Sequence, residues 1–218
     1  MIHILEADGI QLSFSERSIL SDIYIKCETG RISSLLGRNG SGKSCLMQAV
    51  YGSLDVNVKS VRVDGSFIRK PYKKAGLLAY MPQFNFIPAG LTLSRVFADF
   101  EIEFREFERH FPAFSGLYRT PVSSFSGGER RLVELFVIIY AKSWFAMLDE
   151  PFSHISPVQV DLFKEIMISE KQNKGFLITD HMYRHIMDIS DDLYILKNGK
   201  TYLTSSEQDI ENLGYVHF

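Results

Sequence analysis

The chain has 218 residues, 45% hydrophobic and 23% charged, with a net charge of −2. That is the balance of an ordinary folded soluble protein with room for one domain and a small inserted lobe, and it offers no basis for nonspecific nucleic-acid binding. Two separated cysteines, Cys27 and Cys45, fit reduced thiols and not a disulfide scaffold. The N-terminus, "MIHILEADG", carries acids where a signal peptide needs a basic start. The longest apolar run, Leu135 to Ala141, is far short of a membrane span. No direct membrane insertion is expected, and work at a membrane would need another protein as anchor.

"RISSLLG" reads as an apolar strand running into a glycine loop, and Ser44 to Tyr51 as a helix stopped by Gly52. Between them lies "GRNGSGKS", Gly37, Arg38, Asn39, Gly40, Ser41, Gly42, Lys43 and Ser44, which fits G-x-x-x-x-G-K-[ST]. The glycines let the loop curl so that successive backbone N–H groups face phosphates, and the following helix points its positive end at the same place. Lys43 would reach the β- and γ-phosphates, the Ser44 hydroxyl would ligate Mg²⁺, and Cys45 follows in the first turn. At average composition such a match arises by chance in roughly one chain of this length in a hundred. In this chain it also follows a strand and precedes a helix.

From about Phe84 to Val122 strand patterns disappear. Phe97, Phe100, Phe104, Phe107 and Phe111 recur at steps of three and four, giving one aromatic helical face ringed by charge. That face is expected to pack on its own domain; the acids around it speak against a membrane surface.

"FSGGERRLVELF", Phe125 to Phe136, then opens a helix. "SWFAMLDEP" is a buried strand ending in two acids: Asp149, suited to hold hydrated Mg²⁺, and Glu150, suited to orient or deprotonate a water. "GFLITDH" is another buried strand with a polar end, and "DLYILKNGKTYL" is a hairpin about Asn198-Gly199. Buried strands alternating with helices imply a parallel sheet covered on both faces. Ligands of such sheets sit beyond the C-terminal strand ends, where all these polar endings fall.

Taken together, the motifs resemble those of ABC-type ATPase subunits, in order and over nearly the whole chain. Phe14 lies at the aromatic position that stacks on adenine in that family. "YMPQF" places Gln83 as the loop glutamine beside the γ-phosphate, the metal and the membrane partner. "FSGGERR" matches the family signature, with Ser126, Gly127, Gly128 and Glu129 as its nucleotide contacts. "MLDEP" supplies Asp149 and Glu150, and "LITDH" supplies His181 as the histidine that contacts the γ-phosphate. "SGGERR", "EPFS" and "LITDH" look most like the branch that drives lipopolysaccharide export. The resemblance implies a P-loop α/β core with a mainly parallel sheet, an N-terminal antiparallel β part and a small helical lobe. It divides the chain into a nucleotide-binding core, 1–83 and 123–218, and a helical subdomain, 84–122. It implies ATP and Mg²⁺ as cofactors, with Ser44, Gln83 and Asp149 at the metal and Lys43, Gln83, Glu150 and His181 in catalysis. Its partners would be a separate transmembrane permease and a second copy of the chain, on the cytoplasmic face of a membrane.

A local reason exists for part of the signature. Ser126 and Glu129 form S-x-x-E, a capping box. Glycine costs roughly 1 kcal/mol in a helix interior, so Gly127 and Gly128 need another reason: a bare helix start lets amides approach an anion closely. In the family that anion is the nucleotide of the second subunit, so two chains sandwich two ATP molecules. One departure stands out. Six residues after the catalytic glutamate the family usually has aspartate in a loop crossing that interface, whereas this chain has Ser156, before Pro157. Ser156 suits an N-cap and Pro157 the first helical position, but a charge is lost from the interface. A protein using ATP as a binding switch with weak hydrolysis, or a soluble ABC ATPase, is the alternative.

Overall fold

The computed structural model describes residues 1–180 and 183–215. Strand β1 (Ile4–Phe14) buries Leu5 and Ala7, then Ile10 and Leu12. The alternation slips by one residue between these pairs. The slip coincides with Gly9 at φ 59° and with a break in register against β5 (Val58–Val63) between Asp8 and Gln11, the signature of a bulge that a left-handed glycine accommodates without strain. β2 (Arg17–Leu20), β3 (Tyr24–Glu28), β5 and β6 (Ser66–Phe67) complete an antiparallel sheet around β1.

The second sheet has the order β11-β10-β4-β9-β8-β7, with β4 at Ile32–Leu36, β7 at Leu78–Met81, β8 at Phe145–Asp149, β9 at Gly175–Thr179, β10 at Asp192–Lys197 and β11 at Lys200–Thr204. All neighbours are parallel except the β10–β11 hairpin. Every residue of β4, β8 and β9 is buried, as expected of strands covered on both faces. The hairpin turns on Asn198 and Gly199, at φ 51° and 76°, two left-handed residues whose twist matches the flanking strands.

Seven helices are described: α1 (Lys43–Tyr51), α2 (Leu93–Asp99), α3 (Phe104–His110), α4 (Gly127–Tyr140), α5 (Pro157–Glu170), α6 (Tyr183–Met187) and α7 (Glu207–Asn212). One face of the parallel sheet packs with α1 and the antiparallel sheet in a cluster containing Leu46, Met47, Val61 and Leu177. The other face packs with α2 to α5 around Leu135, Phe136, Phe163 and Ile178.

The expected single aromatic helix is in fact two. Glu101 takes φ 56°, a left-handed residue that stops α2 and redirects the chain into α3. The expectation of self-packing is met: Phe97, Phe104, Phe107 and Phe111 are buried, Phe100 packs against the same cluster, and the Phe107 ring lies 5.0 Å from that of Phe136 on α4.

Candidate active site

The phosphate loop leaves the buried end of β4 and feeds α1. Gly42 occupies the N-cap at φ 104°, and a Cβ there would meet Ile19 at 2.8 Å; only glycine satisfies both conditions. Gly52 closes the helix, its N–H donating to the Gln48 carbonyl. Lys43 is buried, and its ammonium donates to the Gly37 carbonyl at 2.7 Å and the Arg38 carbonyl at 3.3 Å. Burial pulls its pKa down, opposed by Glu150, Asp149 and Asp180. The Ser41 Oγ is buried with no hydrogen-bond partner among the described residues.

Three strands bring the acids to this loop. β8 lies beside β9, and β9 beside β4, so Asp149 comes to the same sheet edge as Lys43. Asp149 is 1% exposed; its Oδ1 accepts from the Thr179 hydroxyl at 2.6 Å and its Oδ2 from the Tyr80 hydroxyl at 3.3 Å. Burial, with Asp149 beside it, pushes the Tyr80 phenol well up, so Tyr80 stays a donor. Glu150 takes φ 48° and its N–H donates to the Thr179 carbonyl at 2.8 Å. The turn lifts its side chain off the strand, and Gln83 Nε2 donates to Glu150 Oε2 at 2.8 Å. Gln83, Asp149, Glu150 and Lys43 thus converge. His181, assigned to the γ-phosphate from the resemblance, lies outside the described residues. Asp180, just before it, is fully buried.

Phe14 ends β1, 54% exposed and paired with Arg17. A cleft of about 490 Å³ adjoins the phosphate loop, lined by Arg17, Ser18, Arg38, Ser41, Lys197 and Tyr215 among others; Phe14 is not among its walls. Ser44 and Cys45 are half-buried in the first turn of α1, and burial pushes the Cys45 thiol up.

The signature lies at the start of α4. Its capping box is present: Glu129 N–H donates to Ser126 Oγ at 3.3 Å, and Ser126 N–H donates to Glu129 Oε2 at 2.8 Å. The Ser126 hydroxyl and amide hold the Glu129 carboxyl below its usual range. The two glycines separate. A Cβ on Gly128 would come within 2.8 Å of the His154 carbonyl, so this glycine has a local packing reason that the sequence did not reveal; a Cβ on Gly127 would meet nothing within 4 Å. Ser156 caps α5, its Oγ accepting from Gln159 N–H at 3.4 Å, with Gln159 returning the bond to Ser156 N–H at 2.9 Å.

A further set of site residues is not apparent from the sequence. Arg131, 2% exposed on α4, donates to the carbonyls of Pro82 at 2.9 Å, Asp149 at 3.0 Å and Glu150 at 2.8 Å. Glu134 Oε1 accepts from Phe86 and Ile87 N–H at 2.8 and 3.1 Å. Two charges inside an apolar helical stretch were the available signal.

The donor set fits a nucleoside triphosphate with its metal. A buried cation and an orphaned buried hydroxyl share one glycine-rich loop, and acids stand opposite. Among the described residues no group of three or more His, Cys, Asp or Glu could hold a metal by itself; the Ser44 hydroxyl and the Asp149 carboxylate are oxygen donors of the kind that would hold Mg²⁺ bound to a triphosphate. Fold and loop together define a P-loop α/β nucleotide-binding protein.

Comparison with known proteins narrows this class. Residues 20–153 match the family model described as ABC transporter. Over 225 residues the chain is 30% identical to the lipopolysaccharide export system ATP-binding protein LptB of Haemophilus influenzae, covering 96% of this chain and 93% of that one. It is 25% identical to the probable branched-chain amino acid transport ATP-binding protein LivF of Archaeoglobus fulgidus, covering 95% and 94%. In fold it matches a solved ATP-binding subunit of an ABC transporter with TM-score 0.80 at 20% identity, over 97% of this chain and 93% of the other. The chain belongs to the ABC transporter family, as one of its ATP-binding subunits. Among the described residues no helix is long and apolar enough to cross a membrane.

Proposed function

We propose that the chain hydrolyses ATP at two sites shared between two copies and thereby drives a separate transmembrane permease from the cytoplasmic face of a membrane. The observation that carries this reading is the convergence of Lys43, Gln83, Asp149 and Glu150 at one strand edge, while Gly127 presents a bare helix start with open space around it.

Each residue then has a task. Lys43 leaves the carbonyls of its own loop and binds the terminal phosphates. The loop amides and the Ser41 hydroxyl take up phosphate oxygens. Mg²⁺ when bound would neutralise phosphate charge, and Ser44, Asp149 and Gln83 are the residues that would hold it; the Thr179 and Tyr80 hydroxyls donate to Asp149 and aim its carboxylate. Glu150, held by Gln83, orients the attacking water and accepts its proton. His181 contacts the γ-phosphate and Phe14 stacks on adenine. The start of α4, from Ser126 to Glu129, supplies amides to the partner's triphosphate. Loss of the γ-phosphate removes the bridge between copies and loosens the pair. The helical subdomain, 84–122, with the loop after Gln83, takes the docking helix of the permease, and the core is 1–83 with 123–218. The relatives serve different cargoes, so cargo selection is placed in the permease.

The test is steady-state ATP hydrolysis in Mg²⁺. Glu150→Gln should slow turnover by on the order of 10²-fold or more while leaving ATP bound, and Lys43→Ala should lose binding itself. Normal turnover in Glu150→Gln would show that Glu150 is not the base that activates the water. Purification from membranes should bring down a multi-span protein; recovery of the chain alone would favour a soluble ABC ATPase.

A further inference from the structure

Arg131 and Glu134 lie one helical turn apart on α4, both nearly fully buried. They reach different clients. Arg131 holds the carbonyls of Asp149 and Glu150, the backbone that aims the acids of this chain's own site, and the carbonyl of Pro82 beside Gln83. Glu134 holds the amides of Phe86 and Ile87, the far end of the same loop. The start of their helix is the signature, which in the sandwich serves the other copy's nucleotide. The pair is also incompletely closed: Arg131 Nη1 and Glu134 Oε2 stand 3.9 Å apart, and Arg131 Nε and Glu134 Oε2 have no hydrogen-bond partner among the described residues. Buried polar atoms left so are costly, and since both residues ride on α4 their spacing is set by how Arg131 and Glu134 reach for their separate backbone partners.

The geometry points to Arg131 and Glu134 as a cross-brace that makes the 82–87 loop, the Asp149–Glu150 backbone and the signature end of α4 move as one body. Arg131 is a positioning residue in this brace, touching no reacting atom. A helix that aims its own chain's acids while presenting amides to the partner couples the two ATP sites without the interface aspartate that Ser156 replaces. This inference rests on the two-copy reading of the function.

Its test uses mixed dimers of differently tagged full-length chains, one carrying Glu150→Gln so that only one composite site turns over. Arg131→Lys keeps the charge but not the fork that spans three carbonyls. It is placed either on the chain with intact Glu150 or on the chain that supplies the signature to that site. The brace predicts that both placements lower turnover at saturating ATP at least ~10-fold with KM changed less than ~3-fold. A loss only when Arg131→Lys accompanies the intact Glu150 would reduce the arginine to a buttress of its own carboxylate, and a loss in neither placement would remove it from the reaction; either result overturns the brace. If Arg131→Lys does not fold, Glu134→Gln, which keeps an acceptor for Phe86 and Ile87, is read by the same two placements. The control pair, with Glu150→Gln alone, must dimerise with ATP and hydrolyse it. Failure there would overturn the sandwich and the brace with it, whereas a working control with insensitive placements overturns only the brace.

Discussion

Gly127 and Gly128 are neighbours with different reasons to exist. Gly128 makes room for the His154 carbonyl, 2.8 Å from where its Cβ would lie, and His154 itself sits at φ 68°, so neither backbone gives easily. Gly128→Ala should therefore cost about 1–3 kcal/mol of stability by overpacking, visible in urea unfolding. Gly127→Ala meets open space, and its melting temperature should be unchanged or slightly raised. On the proposed two-copy reading its ATP turnover should nevertheless fall by roughly 10- to 100-fold, because a methyl group would stand where the partner's phosphate approaches. Unchanged turnover in Gly127→Ala would leave that glycine with no part in the site. The residues legible from sequence were those whose chemistry travels with fixed local spacing: Lys43 and Ser44 in the loop, Asp149 and Glu150 at a strand end. Arg131, Thr179 and Tyr80 were not legible, because their work is to hold groups far away in the chain, and Gly128 showed only half its reason for the same cause.

At the scale of elements, the α2–α3 pair is an aromatic wedge driven against α4. Phe107 is fully buried among the rings of Phe97, Phe111, Phe114 and Phe136. Phe107→Ala should cost about 3–5 kcal/mol, read by denaturant unfolding; a loss under ~1 kcal/mol would mean that the lobe does not share the core. The spacing of the phenylalanines gave the buried face correctly but not the break between helices, since the stop comes from the left-handed Glu101 and no glycine or proline marks it. A second element contact carries a pH signature. Lys174 is buried, its ammonium donating to the Ala141 carbonyl at the end of α4, and burial pulls its pKa from 10.5 to about 8. Well below about pH 8 the proton is on in both states and the burial cost is fully present. Between about pH 8 and 10.5 the unfolded chain keeps a proton that the folded one has lost, so this group's contribution to stability rises with pH. The stability of the wild type relative to Lys174→Met should climb across that window; a flat difference would contradict the shift.

For the whole molecule, the parallel sheet was written in the sequence as runs of buried strands and a marked hairpin, its antiparallel companion was implied by the family resemblance, and the family match bears out that class of fold. On the proposed two-copy reading, one chain holds only half of its site: the phosphate loop and the acids of one copy would take one side of the triphosphate, and the start of the partner's α4 would supply amides to the other. Ser156 acts in this chain as a helix cap: it closes a box with Gln159, and in the proposed two-copy arrangement coupling would run through the Arg131–Glu134 brace. The most direct measurement is the solution mass of Glu150→Gln by light scattering, with and without saturating Mg-ATP, alone and combined with Gly127→Ala. Clamping of nucleotide between two copies predicts one chain without nucleotide, two chains with it, and a return to one chain when Gly127→Ala is added. A single chain throughout, with ATP demonstrably bound, would contradict it.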